Sequence, residues 1–241
     1  MIIDIITIFP EFFQPFLDTS IIKRAIDQEL VSINLHQLRD YSTLKHNKID
    51  DTPYGGGAGM LMQFPPFYEI LTKLKTKDTH VIMLSPQGKV FKQKKAIALS
   101  KKKHIILICG HYEGIDARVE HFIDEEISIG DYVLTGGEIP AMIVSDAVIR
   151  LIPNVILQAS SEEDSLQNGW LKYPQYTKPD SYQGFDVPEI LKSGHHKNIE
   201  NWRKRQSILK TYQKRPDLIK QIKLTDEEKA ILEEIKSNSD K

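Results

Sequence analysis

The stretch HIILICG, residues 104–110, decides the fold class. Its residues are apolar almost without interruption and several are branched at Cβ, which is typical of a strand buried on both faces of a parallel sheet. IIDIITIF, residues 2–9, and HVIMLS, residues 80–85, have the same character. Helical patterns separate these runs, and the alternation of strand and helix predicts an α/β fold with helices on both faces of the sheet.

The connecting segments predict the remaining elements of this first domain. Helices are expected in TSIIKRAIDQEL, FPPFYEILTKLK and KQKKAIALSKKK, and also in ARVEHFIDEE. ISIGDYVL, residues 127–134, is expected to be a strand with its entry turn, followed by a turn at Gly136 and Gly137. EIPAMIVSDAVIRLIP then has apolar residues at helical spacing until Pro153 stops the helix. The domain is predicted to cover residues 1–160.

The composition changes after this domain. The segment from about residue 159 to 196 is rich in Ser, Pro, Gly, Gln and Asp and has no sustained period, so residues 161–175 are predicted to be an interdomain linker. Residues 176–241 are predicted to be a small, mostly helical domain. One helix should present Ile199, Trp202, Leu209 and Tyr212 on a single face, and the spacing of Thr225 and Glu228 predicts a capping box.

Charge is distributed unevenly along the chain. The 241 residues have a net charge of −1, yet residues 192–223 contain ten Lys or Arg and two acidic residues. A basic helical domain beside a nearly neutral one indicates a polyanionic partner, although a solvated helix with a basic bias is the simpler alternative. The single cysteine, Cys109, excludes an internal disulfide and fits a reducing compartment. No stretch approaches the roughly 20 apolar residues of a membrane span. The expected location is cytoplasmic, with no membrane partner.

Glycine-bearing loops carry the functional signal. DDTPYGGGAGMLM, residues 50–62, contains four glycines, but no Lys-Ser or Lys-Thr follows them and two aspartates precede them, so a phosphate loop is not indicated. LSPQG, CGHYEGID and SIGDYVLTGGEIPAM follow or end predicted strands. Such loops at the carboxyl ends of parallel strands are typical of a nucleotide-like ligand pocket, whereas the alternative is a set of tight turns.

These loops, in this order, together with SDAVIRLIP, PQYTKP and SGHHKNIENWRKRQS, resemble the bacterial tRNA (guanine-N1)-methyltransferases of the SPOUT group. The resemblance covers nearly the whole chain. It implies a knotted α/β domain that binds S-adenosyl-L-methionine as methyl donor, and a homodimer with active sites at the subunit interface. The implied substrate is the guanosine 3′ of the anticodon, at position 37, in the anticodon stem-loop of tRNA. Methylation there is associated with maintenance of the reading frame.

The chemistry of this reaction needs particular residue types. Guanine N1 carries a proton at neutral pH, so a base must remove it while a donor stabilises the charge that develops on O6. The resemblance implies that Asp164 is the base, that Arg150 contacts O6, and that Glu113 holds the target base or the cofactor. Without the resemblance these residues would be interpreted as a loop aspartate, a surface arginine and a carboxylate at a helix N-terminus.

The resemblance also implies the binding residues. Contacts with substrate are expected from Gly59, Met60, Arg150 and His195. Contacts with the cofactor are expected from Leu84, Gly110, Tyr112, Ile129, Gly130, Asp131, Tyr132, Val133, Leu134, Gly136, Gly137 and Pro140. The sequence shows no metal-ligand set, so no metal residues are predicted and magnesium is retained only as an optional cofactor. Leu166, Trp170 and Lys172 depart from the residues common in the family at these positions.

Two alternatives remain at the level of sequence. One is a SPOUT methyltransferase that acts on ribosomal RNA or on another tRNA position. The other is a catalytically silent RNA-binding protein, against which the intact cofactor loops argue.

Overall fold

The computed structural model describes residues 1–157 and 164–239. The chain divides into two compact units, Met1–Gln158 and Ala159–Lys241. Each unit has its own hydrophobic core and is described by itself.

The first unit is built on a parallel sheet. Its strands are β1 (Ile2–Thr7), β2 (Ser32–Gln37), β3 (Asp50–Asp51), β4 (Leu61–Met62), β5 (Thr79–Val90), β6 (His104–Cys109) and β7 (Glu125–Ser128). Five of them form one sheet in the order β2-β1-β6-β5-β7, with every neighbouring pair parallel. β3 and β4 form a separate antiparallel pair.

The helices of the first unit cover both faces of this sheet. They are α1 (Gln14–Leu17), α2 (Ser20–Asp27), α3 (Phe64–Leu74), α4 (Gln93–Leu99) and α5 (Glu138–Ile149), with 3₁₀ turns at Pro10–Phe13, Leu38–Tyr41, Lys45–Asn47 and Ala117–Phe122. Buried residues of α2, α4 and α5 pack on one face, and those of α3 pack on the other. The predicted α/β class is therefore confirmed, whereas the trefoil knot that the resemblance implies stays a prediction.

Two predicted elements are wrong. ARVEHFIDEE forms the 3₁₀ turn over residues 117–122, and its last two residues already belong to β7. Asp124 exchanges hydrogen bonds with Val81 of β5 and thereby joins the segment to the sheet. The next strand ends at Ser128 and does not continue through ISIGDYVL. The Ser128 hydroxyl bonds both backbone groups of Gly130, whose φ is +152°, so the chain turns out of the sheet.

The sequence also missed β2 and the full length of β5. β2 is a polar edge strand, so its residues lack the continuous apolar character of the central strands. LSPQG does not end a strand. It lies within β5, where the pairing with β7 shifts register between Leu84 and Lys89.

A buried carboxylate joins three neighbouring strands, β2, β1 and β6. Asp4 of β1 accepts a hydrogen bond of 2.8 Å from Asn34 Nδ2. Its two oxygens also lie 2.9 Å from His36 Nε2 and 2.6 Å from His104 Nε2. Burial acts to raise the pKa of Asp4, but these hydrogen bonds outweigh it and hold the pKa below its ordinary value.

The second unit is mostly helical. It contains the two-stranded pair β8 (Ser181–Tyr182) and β9 (Phe185–Asp186), then α6 (Glu189–Lys192), α7 (His196–Lys214), α8 (Pro216–Ile219) and α9 (Asp226–Ser239). The predicted capping box is confirmed, since Glu228 N donates to Thr225 Oγ1 and Thr225 N donates to Glu228 Oε2. The core of α7 is centred on Ile208, with Leu209 and Tyr212 beside it, whereas Ile199 and Trp202 lie outside this cluster. No helix among the described residues combines the length and apolar character that a membrane crossing requires.

Candidate active site

A cavity of about 460 Å³ is lined by the register shift inside β5 and by the segments that follow β6 and β7. The segments after β6 and β7 meet there because parallel strands present their carboxyl ends at the same edge of the sheet. The lining consists of residues 83–87, 110–115, 126–130 and 132–137, together with Glu120 and Pro140. The cavity is thus made from the same glycine-bearing loops that the sequence singled out.

The structure brings most of the predicted cofactor residues together. All of them except Asp131 line the cavity, and Glu113 lines it too. Asp131 is exposed and lies outside the described lining. Tyr112 has a φ of +59°, a conformation that non-glycine residues rarely adopt. Such strained backbone is often found where a protein holds a ligand.

Gly137 lets α5 begin directly against the end of β6. Its N–H donates to Gly110 O at 2.9 Å. A Cβ on Gly137 would lie 2.6 Å from Cys109 Cα, a distance that real side chains do not tolerate. Cys109 is fully buried below this contact, and burial, followed by the charge of Glu138, raises the pKa of its thiol. Cys109 is therefore a buried core residue of the first unit.

The cavity has an acidic lining. Glu113, Glu120 and Glu126 contribute carboxylates, and no described lining residue is a lysine or arginine. Oε2 of Glu126 is buried and has no hydrogen-bond partner among the described residues. A buried carboxylate oxygen without a partner is costly, so this atom is suited to accept a hydrogen bond from a ligand.

The GGGAGM loop connects β3 and β4 and lies against the CGHYEGID loop. Glu113 N donates to Met60 O at 3.0 Å, and Met62 N donates to Gly114 O at 2.9 Å. Gly59 has a φ of +83°, and a Cβ there would lie 2.7 Å from Oε1 of Glu113. The structure therefore brings Gly59 and Met60 next to Glu113.

The remaining predicted residues lie elsewhere in the two units. Arg150 is the C-cap residue of α5 in the first unit and is partly buried. Asp164 belongs to the second unit, where Lys172 Nζ lies 3.9 Å from its Oδ1. His195 is exposed at the N-cap of α7.

Comparison with known proteins gives the identity of this fold and cavity. The family model described as tRNA (Guanine-1)-methyltransferase TrmD matches residues 1–221. The chain belongs to this family. It is 64% identical over 239 residues to a tRNA (guanine-N(1)-)-methyltransferase of Acholeplasma laidlawii, covering 99% of this chain and 98% of the relative. A relative with the same name from Dictyoglomus turgidum is 54% identical, covering 97% and 96%. One from Staphylococcus epidermidis is 48% identical, covering 98% of each.

The chain is therefore an enzyme, a tRNA (guanine-N1)-methyltransferase. The resemblance seen in the ordered loops is confirmed. This assignment decides against the catalytically silent RNA-binding protein and against a SPOUT enzyme for ribosomal RNA.

The sequence did not predict one set of buried hydrogen bonds in this methyltransferase. Glu138, at the start of α5, accepts a hydrogen bond from Thr7 Oγ1 at 2.7 Å and lies 2.6 Å from His111 Nε2. His111 lines the cavity, and Glu138 is only 4% exposed. No local signal in the sequence connects His111 to Glu138, which lies 27 residues further along the chain.

The basic surface of the methyltransferase's second unit is partly neutralised. Lys204 pairs with Glu227 at 2.6 Å, and Arg205 pairs with Glu234 at 2.6 Å, so both contacts join α7 to α9. In the described parts of the chain, no ion pair involves Lys197, Lys214, Lys220 or Lys223. Over residues 1–157 and 164–239, no group of three His, Cys, Asp or Glu side chains is arranged to hold a metal ion.

Proposed function

We propose that the enzyme transfers a methyl group from S-adenosyl-L-methionine to N1 of guanosine 37 in tRNA, thereby supporting reading-frame maintenance. The acidic cavity formed by the predicted cofactor loops carries this proposal. Asp164, Arg150 and Glu113 are proposed as the residues that act on the target guanine.

The chemistry of the cavity fits this donor. S-adenosylmethionine carries a net positive charge and, when bound, supplies an activated methyl group on its sulfonium. The three carboxylates of the lining favour a cation and disfavour a nucleoside phosphate. The unpartnered Oε2 of Glu126 can accept a hydrogen bond from an ammonium or hydroxyl group. The residues that would hold the donor are those of loops 83–87, 110–115 and 129–137.

The target guanine requires loss of its N1 proton. We propose that the carboxylate of Asp164 accepts this proton, because an ionised carboxylate can act as a base. Arg150 would donate to O6, where negative charge develops, since a guanidinium is a planar and permanently charged donor. The backbone of Gly59 and Met60 lies next to Glu113, and we propose that this segment contacts the extruded base.

The second unit is proposed to bind the anticodon stem-loop. Among the described residues, Lys197 and Lys214 of α7 take part in no ion pair, which supports contacts with phosphates. A homodimer is supported by α5, which is apolar nearly all round yet leaves Ile139 and Ile143 each 42% exposed. His195 is proposed to contact substrate, and the enzyme is proposed to act in the cytoplasm.

Transfer of labelled methyl from S-adenosylmethionine to tRNA transcripts tests the proposal. A transcript with guanosines at positions 36 and 37 should be methylated, whereas one with adenosine at position 37 should not. Asp164→Asn should abolish transfer while the affinity for S-adenosylmethionine changes little. Methylation at another nucleotide would refute the position, and near wild-type turnover of Asp164→Asn would refute the assigned base.

A further inference from the structure

The segment that carries Asp164 is held on α7 by hydrogen bonds from side chains of that helix. Thr211 Oγ1 accepts a hydrogen bond from the backbone N–H of Leu171 at 3.0 Å. Ser207 Oγ donates to the carbonyl of Leu171, and Lys210 Nζ donates to the carbonyl of Lys172 at 3.0 Å. Both backbone polar groups of Leu171 are therefore bound by α7.

Residues 164–172, here named the Asp164 loop, are also joined to one another by hydrogen bonds. Leu166 N donates to Trp170 O at 2.8 Å, and Lys172 N donates to Ser165 Oγ at 2.9 Å. Leu166 has a φ of +72° and Gly169 a φ of +92°. A Cβ on Gly169 would lie 2.8 Å from Ile222 Cγ1, so the loop lies close to the chain that follows α8. These contacts hold the residues that directly follow Asp164 in the chain.

Trp170 anchors the loop in the core of the second unit. Its side chain is 6% exposed and packs with Ile208, Leu232 and Ile235. Its indole N–H donates to Glu228 Oε1 at 3.0 Å, while Oε2 of the same carboxylate caps α9 through Thr225. The segment predicted as an interdomain linker is thus, from residue 164 onward, part of the folded second unit.

We propose that Thr211 is a positioning residue, which holds the Asp164 loop on α7 and so fixes the direction from which the carboxylate of Asp164 meets the substrate. Thr211 is fully buried, and its hydroxyl is the acceptor for the Leu171 N–H. Without that acceptor the N–H would lose its partner in a partly buried site, which weakens the attachment of the loop to α7. This inference rests on the proposed role of Asp164.

Thr211→Val tests the inference, because valine keeps the shape of threonine and removes the hydroxyl. Thr211→Ser, which keeps the hydroxyl, is the matched control. Trp202 and Trp170 are the only tryptophans of the chain, so a Trp202→Phe background makes Trp170 the reporter of loop seating. Acrylamide quenching of its fluorescence reports seating without any activity measurement.

In the Trp202→Phe background, Thr211→Val should increase the quenching of Trp170 and lower the single-turnover methyl-transfer rate about tenfold. KM for tRNA and the affinity for S-adenosylmethionine should change less than about twofold, since binding surfaces are untouched. Thr211→Ser should restore both quenching and rate. A normal rate in Thr211→Val, or a loss confined to KM, would overturn the inference.

The quenching result separates this inference from the proposed base. If Asp164→Asn keeps its turnover, the role of Asp164 fails, yet the quenching of Thr211→Val still decides whether Thr211 seats the loop. Unchanged quenching in Thr211→Val would refute the seating even if Asp164→Asn is inactive.

Discussion

At Gly59 two separate physical constraints disfavour a side chain. The positive φ favours glycine, and the space where a Cβ would lie is occupied by the carboxylate of Glu113. Gly56 has a similar φ of +79°, but no atom lies within 4 Å of its virtual Cβ. A side chain at either position would therefore strain the backbone, but only at Gly59 would it also contact Glu113.

Gly59→Val is expected to lower tRNA methylation about 100-fold, because displacement of Glu113 by about 1 Å would misplace the target base. The affinity for S-adenosylmethionine should change much less. Gly56→Val is the control for backbone strain and should be far more active. Methyl transfer and calorimetric titration measure the two effects. A larger loss of cofactor affinity than of methylation would assign this loop to the cofactor.

Glu126→Gln is expected to weaken the binding of S-adenosylmethionine about tenfold, since a charge-assisted hydrogen bond from a buried acceptor is lost. The neutral product S-adenosylhomocysteine should lose less affinity. Glu120→Gln is the control, because Glu120 lines the same cavity but is exposed. Calorimetry with both ligands provides the measurement, and equal affinities in wild type and Glu126→Gln would show that Oε2 of Glu126 does not contact the donor.

At the scale of elements, Asp4 holds β2, β1 and β6 in register. Its partners Asn34, His36 and His104 come from the two strands that flank β1. Because the carboxylate is 4% exposed, its ionised form depends on these donors rather than on water. The pKa of Asp4 lies below its ordinary value of 3.8, so the contribution to stability is present above pH 3.8 and is lost as the pH falls through the folded-state pKa.

Asp4→Asn is therefore expected to lower the free energy of unfolding at pH 7 by about 2 kcal/mol. The difference from wild type should shrink as the pH falls below 3.8. Asp27→Asn, which removes an exposed carboxylate on α2, is the control and should have little effect. Urea unfolding between pH 7 and pH 3 measures both variants, and a difference that persists unchanged at the lowest pH would contradict the role of the Asp4 charge.

At the scale of the whole molecule, the proposed dimer would combine residues that the chain carries in separate units. The cavity belongs to Met1–Gln158, and the described part of the Asp164 loop belongs to Ala159–Lys241. The exposed apolar side chains of Ile139 and Ile143 offer a surface on the first unit for a second copy.

Mixed dimers test whether the site is shared. Leu134→Trp places an indole in the cavity and should prevent cofactor binding, whereas Asp164→Asn removes the proposed base. Each homodimer should be inactive. A mixed dimer has one site with both wild-type parts, so it should recover about half of the wild-type activity. Differently tagged subunits allow its purification, and complete inactivity would argue that each site is built from one chain.

Local patterning allowed much of this molecule to be predicted. The apolar runs gave the central strands, and the helical periods gave α2, α3, α4 and α5 close to their observed bounds. The capping box at Thr225 needed only a spacing of three residues. Because parallel strands end at one edge, loops that follow them converge, which is why the ordered glycine loops indicated the cavity and its family.

By itself, the sequence determined the fold class, the family and the loops that surround the cavity. The tertiary structure alone decided which distant residues form hydrogen bonds with one another. Thr7 and Glu138 are 131 residues apart in the chain, and Leu171 and Thr211 are 40 apart. The burial of the unpartnered oxygen of Glu126 likewise arises only in the folded chain. A hydrogen bond between remote residues leaves no periodic or local signal in the sequence, since its geometry exists only after the chain has folded.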